Sequence, residues 1–179
     1  MFTDAQQRAL IELARGAVVE SVTGRRPAVA GLPADLPEAT GAFVTLKHRG
    51  ELRGCIGTLQ CRTTLAEEIV RVAIGAARED PRFAPVSSAE LADLTVEVSV
   101  LGPLERIDPN DPAAIDIGRH GLVVEQGYRR GLLLPQVAPE WGWDRETFLS
   151  QTCRKAGLPP DAWRRGAIVH RFEAIVFGD

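Results

Sequence analysis

The residues of this chain that could do chemistry lie together at 52–58, LRGCIGT. A cysteine thiolate is a strong nucleophile, and a nearby cation lowers a thiol pKa from about 8.5. Arg53 stands two residues before Cys55, so on a strand the two project to the same face. Gly54 and Gly57 would weaken such a strand unless something must approach its backbone. That pattern suggests a cleft with glycines in its wall, and N–H groups beside Cys55 placed to hold an oxyanion. No base is local: His48, His120 and His170 are the three histidines, and the fold would have to bring one in. The plain alternative is that Cys55 is a small buried hydrophobe, a common fate of a free cysteine.

Other constellations are weighed in the same way. Arg53, Arg130 and Lys155 would make an anion site for a phosphate, a carboxylate or an acidic peptide end, because guanidinium groups bind such groups bidentately. Against that stands ordinary salt bridging of these cations to Glu51, Glu67 or Glu68. Cys55, Cys61 and Cys153 lack the close ligand pairs of a zinc site, so no metal is expected, and Cys61 and Cys153 read as packing residues. No cofactor fingerprint can be read, and none is expected. DPRF at 80–83 reads as structural: Asp80-Pro81 fixes a turn, Arg82 bonds carbonyls and Phe83 plugs the core. Trp143, next to a capping Asp144, reads as a hydrophobic staple, with a recognition patch shared with Trp141 as the alternative.

The elements that must position these groups follow from capping and periodicity. Thr3 and Gln6 make a capping box for a helix over about 4–23, ended by Gly24. Its stripe is Leu10, Leu13, Ala14, Ala17, Val18 and Val22. Prolines 27, 33 and 37 make the next stretch a loop. Residues 42–48 and 52–60 form a hairpin about RGE. Thr64 and Glu67 cap a second helix, apolar at Leu65, Ile69, Val72, Ala73, Ala76 and Ala77, and Asp80-Pro81 stops it. A short helix near 88–93 precedes a strand at 95–101 with Val96, Val98 and Val100 on one side. Strands at 121–126 and 132–138 make a second hairpin, and Leu133, like Val98, is expected in the core. Asp144 caps a helix through Cys153, Gly157 ends it, and a last strand at 167–177 reads as buried on both faces.

The chain is 179 residues with net charge −3, expected as a single domain over 1–179. Nucleic acid is disfavoured by that charge and rests on the local patches RRP (25–27), YRR (128–130) and WRR (163–165). No run approaches the roughly 20 apolar residues of a membrane span, and the N-terminus lacks the pattern of a signal peptide, so no membrane and a cytoplasmic location are expected. An odd count of three cysteines without C-x-x-C fits free thiols.

The order hairpin, helix, strand occurs twice, over about 42–101 and 121–177, and is read as an internal duplication. Aligning GELRGCIGTLQ with GYRRGLLLPQV sets Arg53 on Arg130, Gly54 on Gly131 and Cys55 on Leu132. The segments LRGCIGTL, DPRFAPV, GRHGLVVEQGYRRGLLLPQVA and WDRETFLSQTCRKAGLPPDAW resemble the AMMECR domain family, whose bacterial and archaeal members are called AmmeMemoRadiSam system protein A. The resemblance implies an α+β domain with an internal repeat and a curved, barrel-like, mainly antiparallel sheet flanked by helices. It also implies partners: a Memo-like protein, itself similar to a non-haem iron dioxygenase, and a radical SAM protein. It assigns no activity. Three readings follow: a binding or accessory module, favoured because no catalytic order can be read; a thiol-dependent enzyme using Cys55; and a nucleic-acid-associated protein.

Overall fold

A computed structural model describes residues 2–25, 33 and 35–179. They form an α+β structure of two compact units, one of residues 1–101 with 175–179, the other of 102–174. Arg26 and Pro27 of the RRP patch lie outside the described residues, as does part of the proline loop.

In the first unit, α1 (Asp4–Thr23) starts at the Thr3–Gln6 capping box and ends at Gly24, whose φ of 72° is left-handed. β1 (Gly41–His48) and β2 (Glu51–Thr58) form the hairpin. Arg49 and Gly50 turn it with positive φ of 53° and 86°, the sign that matches the twist of the flanking strands. α2 (Leu65–Arg78) carries its own capping box at Thr64 and Glu67. All six residues expected on its apolar face are buried. A 3-10 turn (Ser88–Asp93) leads into β3 (Leu94–Leu101). β3 pairs with β1, and β1 with β2, all antiparallel, leaving β2 on the edge. Leu10, Val44, Leu46, Ile69 and Val98 are in the core between this sheet and α1 and α2. The chain end returns here: the Asp179 N–H donates to the Val96 carbonyl at 3.2 Å, and the Asp179 carboxylate accepts from Val96 N–H at 2.7 Å.

The second unit holds β4 (Glu105–Ile107), β5 (His120–Gln126) and β6 (Arg129–Leu133). Two helices follow, α3 (Val137–Trp141) and α4 (Arg145–Lys155). β7 (Ile168–Gly178) begins in this unit, and its last residues belong to the first. β6 pairs with β5, β5 with β7 and β7 with β4, all antiparallel. Asp144 caps α4 by accepting from Thr147 N–H at 2.8 Å, and Gly157 beyond its end has φ 72°. Leu122, Val124, Phe148, Leu149 and Cys153 form the core.

Three expectations change. The strand proposed at 132–138 ends at Leu133, because Pro135 has no N–H for a ladder, and Val137 opens α3. β7 is not buried on both faces: Ile168 is 36% and Val176 55% exposed. Leu133 is only half-buried at the rim, whereas Leu122 is fully buried. Leu122→Ala should therefore cost about 2–5 kcal/mol in urea unfolding, and Leu133→Ala clearly less. Equal costs would mean the β5–β6 register is wrong.

Candidate functional site

Two faces of β2 do different work. Gly54 and Ile56 turn toward α2. A Cβ built on Gly54 would lie 2.1 Å from the Ala76 carbonyl oxygen, and one on Gly75 of α2 would lie 3.1 Å from a methyl of Ile56. The backbone that comes close to Gly54 is therefore the protein's own helix. On the other face, a Cβ on Gly57 would lie 2.1 Å from the ring of Phe43, its cross-strand partner. The expectation that Gly54 and Gly57 leave an open place for a ligand backbone is corrected on both counts. One place is filled by α2 and the other by an aromatic ring.

Cys55 faces the side opposite α2 and is half-buried. Its thiol accepts a hydrogen bond from the Thr45 hydroxyl at 3.2 Å, the residue directly across the hairpin. Its N–H, on the open edge of the sheet, donates to Asp80 Oδ2 at 2.9 Å. The buried Asp80 carboxylate also accepts from Arg82: N–H at 3.0 Å, Nε at 3.0 Å and Nη2 at 2.7 Å. The Arg82 hydrogen bond, helped by the Cys55 N–H and opposed by burial, holds Asp80 well below the usual carboxylate range. In return Asp80 pushes Arg82 up. Asp80 is thus a poor base, and Arg82 bonds a carboxylate rather than the carbonyls expected.

Arg53 is placed by a bulge. Leu46 opposes Gly54 but Lys47 opposes Leu52, so Arg53 is the extra residue on β2. Its Nε donates to Glu90 Oε1 at 2.6 Å and its Nη1 to the Ala84 carbonyl at 2.9 Å. Glu90, held down to about 2 by Arg53 first and then by Ser87 N–H, is the partner; the sequence had offered Glu51, Glu67 or Glu68 instead. Phe83 does not plug the core. It is half-buried, with the guanidinium carbons of Arg82 and Arg53 at 5.4 Å and 5.9 Å from its ring centre.

The expected anion triad is not assembled. Arg53 is committed to Glu90, and Arg130 pairs across β5–β6 with Glu125 at 4.0 Å. Gly131 turns toward the end of α4, which carries Lys155, so its neighbour Arg130 points to the opposite face. No histidine bonds the Cys55 thiol. His48 lies 3.9 Å from Asp93, His120 Nδ1 accepts from Asp116 N–H at 2.9 Å, and His170 Nδ1 is 3.5 Å from Glu125. Burial pushes His120 down, and it pushes the Cys61 and Cys153 thiols up. Among the described residues no His, Cys, Asp and Glu cluster could hold a metal ion, and no helix is long and apolar enough to cross a membrane. The basic pairs at 128–130 and 163–165 are engaged: Arg129 with the Gly157 carbonyl, Arg164 with Glu146, Arg165 with Asp161.

Sequence reasoning missed Thr45, Glu90 and the role of Asp80. Thr45 was legible in principle, because it opposes Cys55 once the two-residue turn fixes the hairpin register. Glu90 and Asp80 come from outside the hairpin, and no local pattern ties them to it.

Fold and site together define an α+β protein with a thiol-bearing edge strand braced by an Asp–Arg pair. The AMMECR1 family model matches residues 11–177, and the chain belongs to that family. It is 48% identical to a protein of Methanothermobacter thermautotrophicus, covering 95% of this chain and 92% of the relative. It is 51% identical to one of Thermococcus gammatolerans, covering 94% and 87%. The crystal structure of the uncharacterized protein PH0010 from Pyrococcus horikoshii is similar at a TM-score of 0.79 and 43% identity, covering 99% of this chain and 93% of that one.

Proposed function

We propose that the chain is a binding and accessory module that docks, through the edge and outer face of β2, to the Memo-like and radical SAM proteins implied by its family resemblance. A cytoplasmic location goes with this reading. The observation that carries it is that every group catalysis would need at Cys55 already has an intramolecular partner. The thiol receives Thr45, the N–H that would hold an oxyanion is taken by Asp80, and Arg53 is tied to Glu90. What faces outward is suited to contact: Leu52 on β2 and Leu59 just past its end are 44% and 41% exposed, and Arg82 lies over the Phe83 ring. Aromatic and arginine side chains are the usual anchors of interfaces.

The reading also treats the two units as repeats of one plan. Gly54 and Gly131 share a position in the aligned hairpins, and a Cβ on either would strike the backbone near the C-terminal end of a helix, α2 for the first and α4 for the second. The thiol-enzyme reading keeps one point in its favour, that Cys55 is half-buried rather than sealed.

Native mass spectrometry of the purified chain with each partner tests the proposal. A complex is expected, weakened about tenfold or more by Leu52→Asp and left intact by Cys55→Ser. Absence of a complex with both partners sinks the docking proposal. An intact complex with cellular function lost in Cys55→Ser would favour thiol chemistry.

A further inference from the structure

We propose that the second unit contains a binding site for a small oxyanion, a phosphate monoester or a carboxylate, in the open cleft between the end of β4 and residues 163–169. The cleft has a volume of about 470 Å³ and is lined by Arg106, Asp108, Asn110, Trp163, Arg164 and Gly166 among others. That size is within the ~300–1,000 Å³ of small-molecule sites.

The charge of the cleft points to an anion. Arg106 is exposed and has no ion pair or side-chain hydrogen bond among the described residues, although its backbone is fixed by pairing opposite His170. The neighbouring carboxylate does not serve it, because Glu105 bonds Arg171 bidentately at 2.9 Å and 3.0 Å. Arg164 is set in place beforehand, held by Glu146 at 2.8 Å and lying 4.4 Å from the ring centre of Trp163. Asp108 is the one acid in the lining, and its Oδ1 is occupied by the N–H and Nδ2 of Asn110 at 2.9 Å and 3.1 Å. Arg145, reaching from α4, donates to the Pro109 carbonyl and braces this turn. Gly166, with φ 89°, presents a backbone N–H that has no partner among the described residues. The free guanidinium of Arg106 and a free N–H, beside a buried indole whose face is framed by the Glu146-paired Arg164, are donors of the kind an oxyanion requires.

Trp163 lies in the wall and can report. In the Trp141→Phe/Trp143→Phe variant it is the remaining tryptophan. Its fluorescence is titrated with inorganic phosphate, phenyl phosphate and acetate at constant ionic strength. A saturable change with at least one probe is expected, weakened about tenfold or more by Arg106→Gln and unchanged by Arg154→Gln, an arginine of α4. Phosphate against acetate distinguishes the phosphate from the carboxylate form of the ligand, and phenyl phosphate tests for a monoester. Calorimetric titration of the unaltered chain and its Arg106→Gln variant gives the same answer if the tryptophan variant fails to fold. No saturable binding of any probe, or equal binding by Arg106→Gln, overturns the proposal.

Discussion

Gly54→Ala is expected to destabilise the protein by about 3 kcal/mol or more, the upper end for overpacking, because the obstacle is backbone. The new Cβ would sit 2.1 Å from the Ala76 carbonyl oxygen, and α2 cannot yield without moving Ile69, Val72 and Ala73, all fully buried. Gly131→Ala should fail for the same reason in the second unit, where Ala156 N lies 2.3 Å from the added carbon. Gly75→Ala is the contrasting case. Its nearest neighbour is an Ile56 methyl at 3.1 Å, which can shift, and alanine gains about 1 kcal/mol over glycine inside a helix. Urea unfolding of the three variants should place Gly75→Ala near or above the parent and the other two far below. Gly54→Ala within error of the parent would mean that the approach of α2 to β2 is wrong, and would return the glycine to the role of a ligand cleft.

This contrast marks how far the sequence could be read. Capping boxes and stripes placed α1 and α2 because those signals are local and each residue in them satisfies a neighbour within one turn. The hairpins were legible because Gly50 and Gly127 sit where positive φ is needed, 86° and 61°. Gly54 and Gly57 were legible as close approaches, but not by what. Periodicity says that backbone or ring must be near and cannot say whether it belongs to a helix or to a ligand. Arg53 was legible as a cation on β2, yet its partner Glu90 stands 37 residues away on a different element. The bulge that aims it leaves no mark in residue types. What residue types could not show is whether a reactive group is free: the tertiary structure commits Arg53 to Glu90, and the Cys55 N–H to an Asp80 that Arg82 also holds.

The Asp80–Arg82 pair should be the strongest electrostatic determinant of the Cys55 edge, and pH separates the roles of its members. Asp80→Ala leaves the Cys55 N–H on the sheet edge without its acceptor and should cost about 3 kcal/mol at neutral pH. Arg82→Ala leaves a buried carboxylate with two N–H donors, those of Cys55 and residue 82, and no guanidinium. It should lower the melting temperature as well. In the parent the folded Asp80 lies below its unfolded value of 3.8. Its contribution is therefore complete above that value and is lost as pH falls through the folded one. The gap between parent and Asp80→Ala should accordingly narrow in acid. Without the Arg82 guanidinium, burial still opposes the anion while the N–H groups of Cys55 and residue 82 still favour it, so the folded Asp80 rises from its position in the parent. The gap between parent and Arg82→Ala should therefore narrow as pH falls below the unfolded value, because the parent has the lower folded pKa and loses more stability there. Urea midpoints measured from neutral down to about pH 2 decide it. If all three proteins give parallel curves, Asp80 is not held as an anion, and the edge of β2 depends on packing alone. If the curves diverge as derived, Leu52 and Cys55 are presented by a strand whose position depends on one charge pair, and the Leu52→Asp and Arg82→Ala variants should weaken partner binding by separate routes, the first without loss of stability.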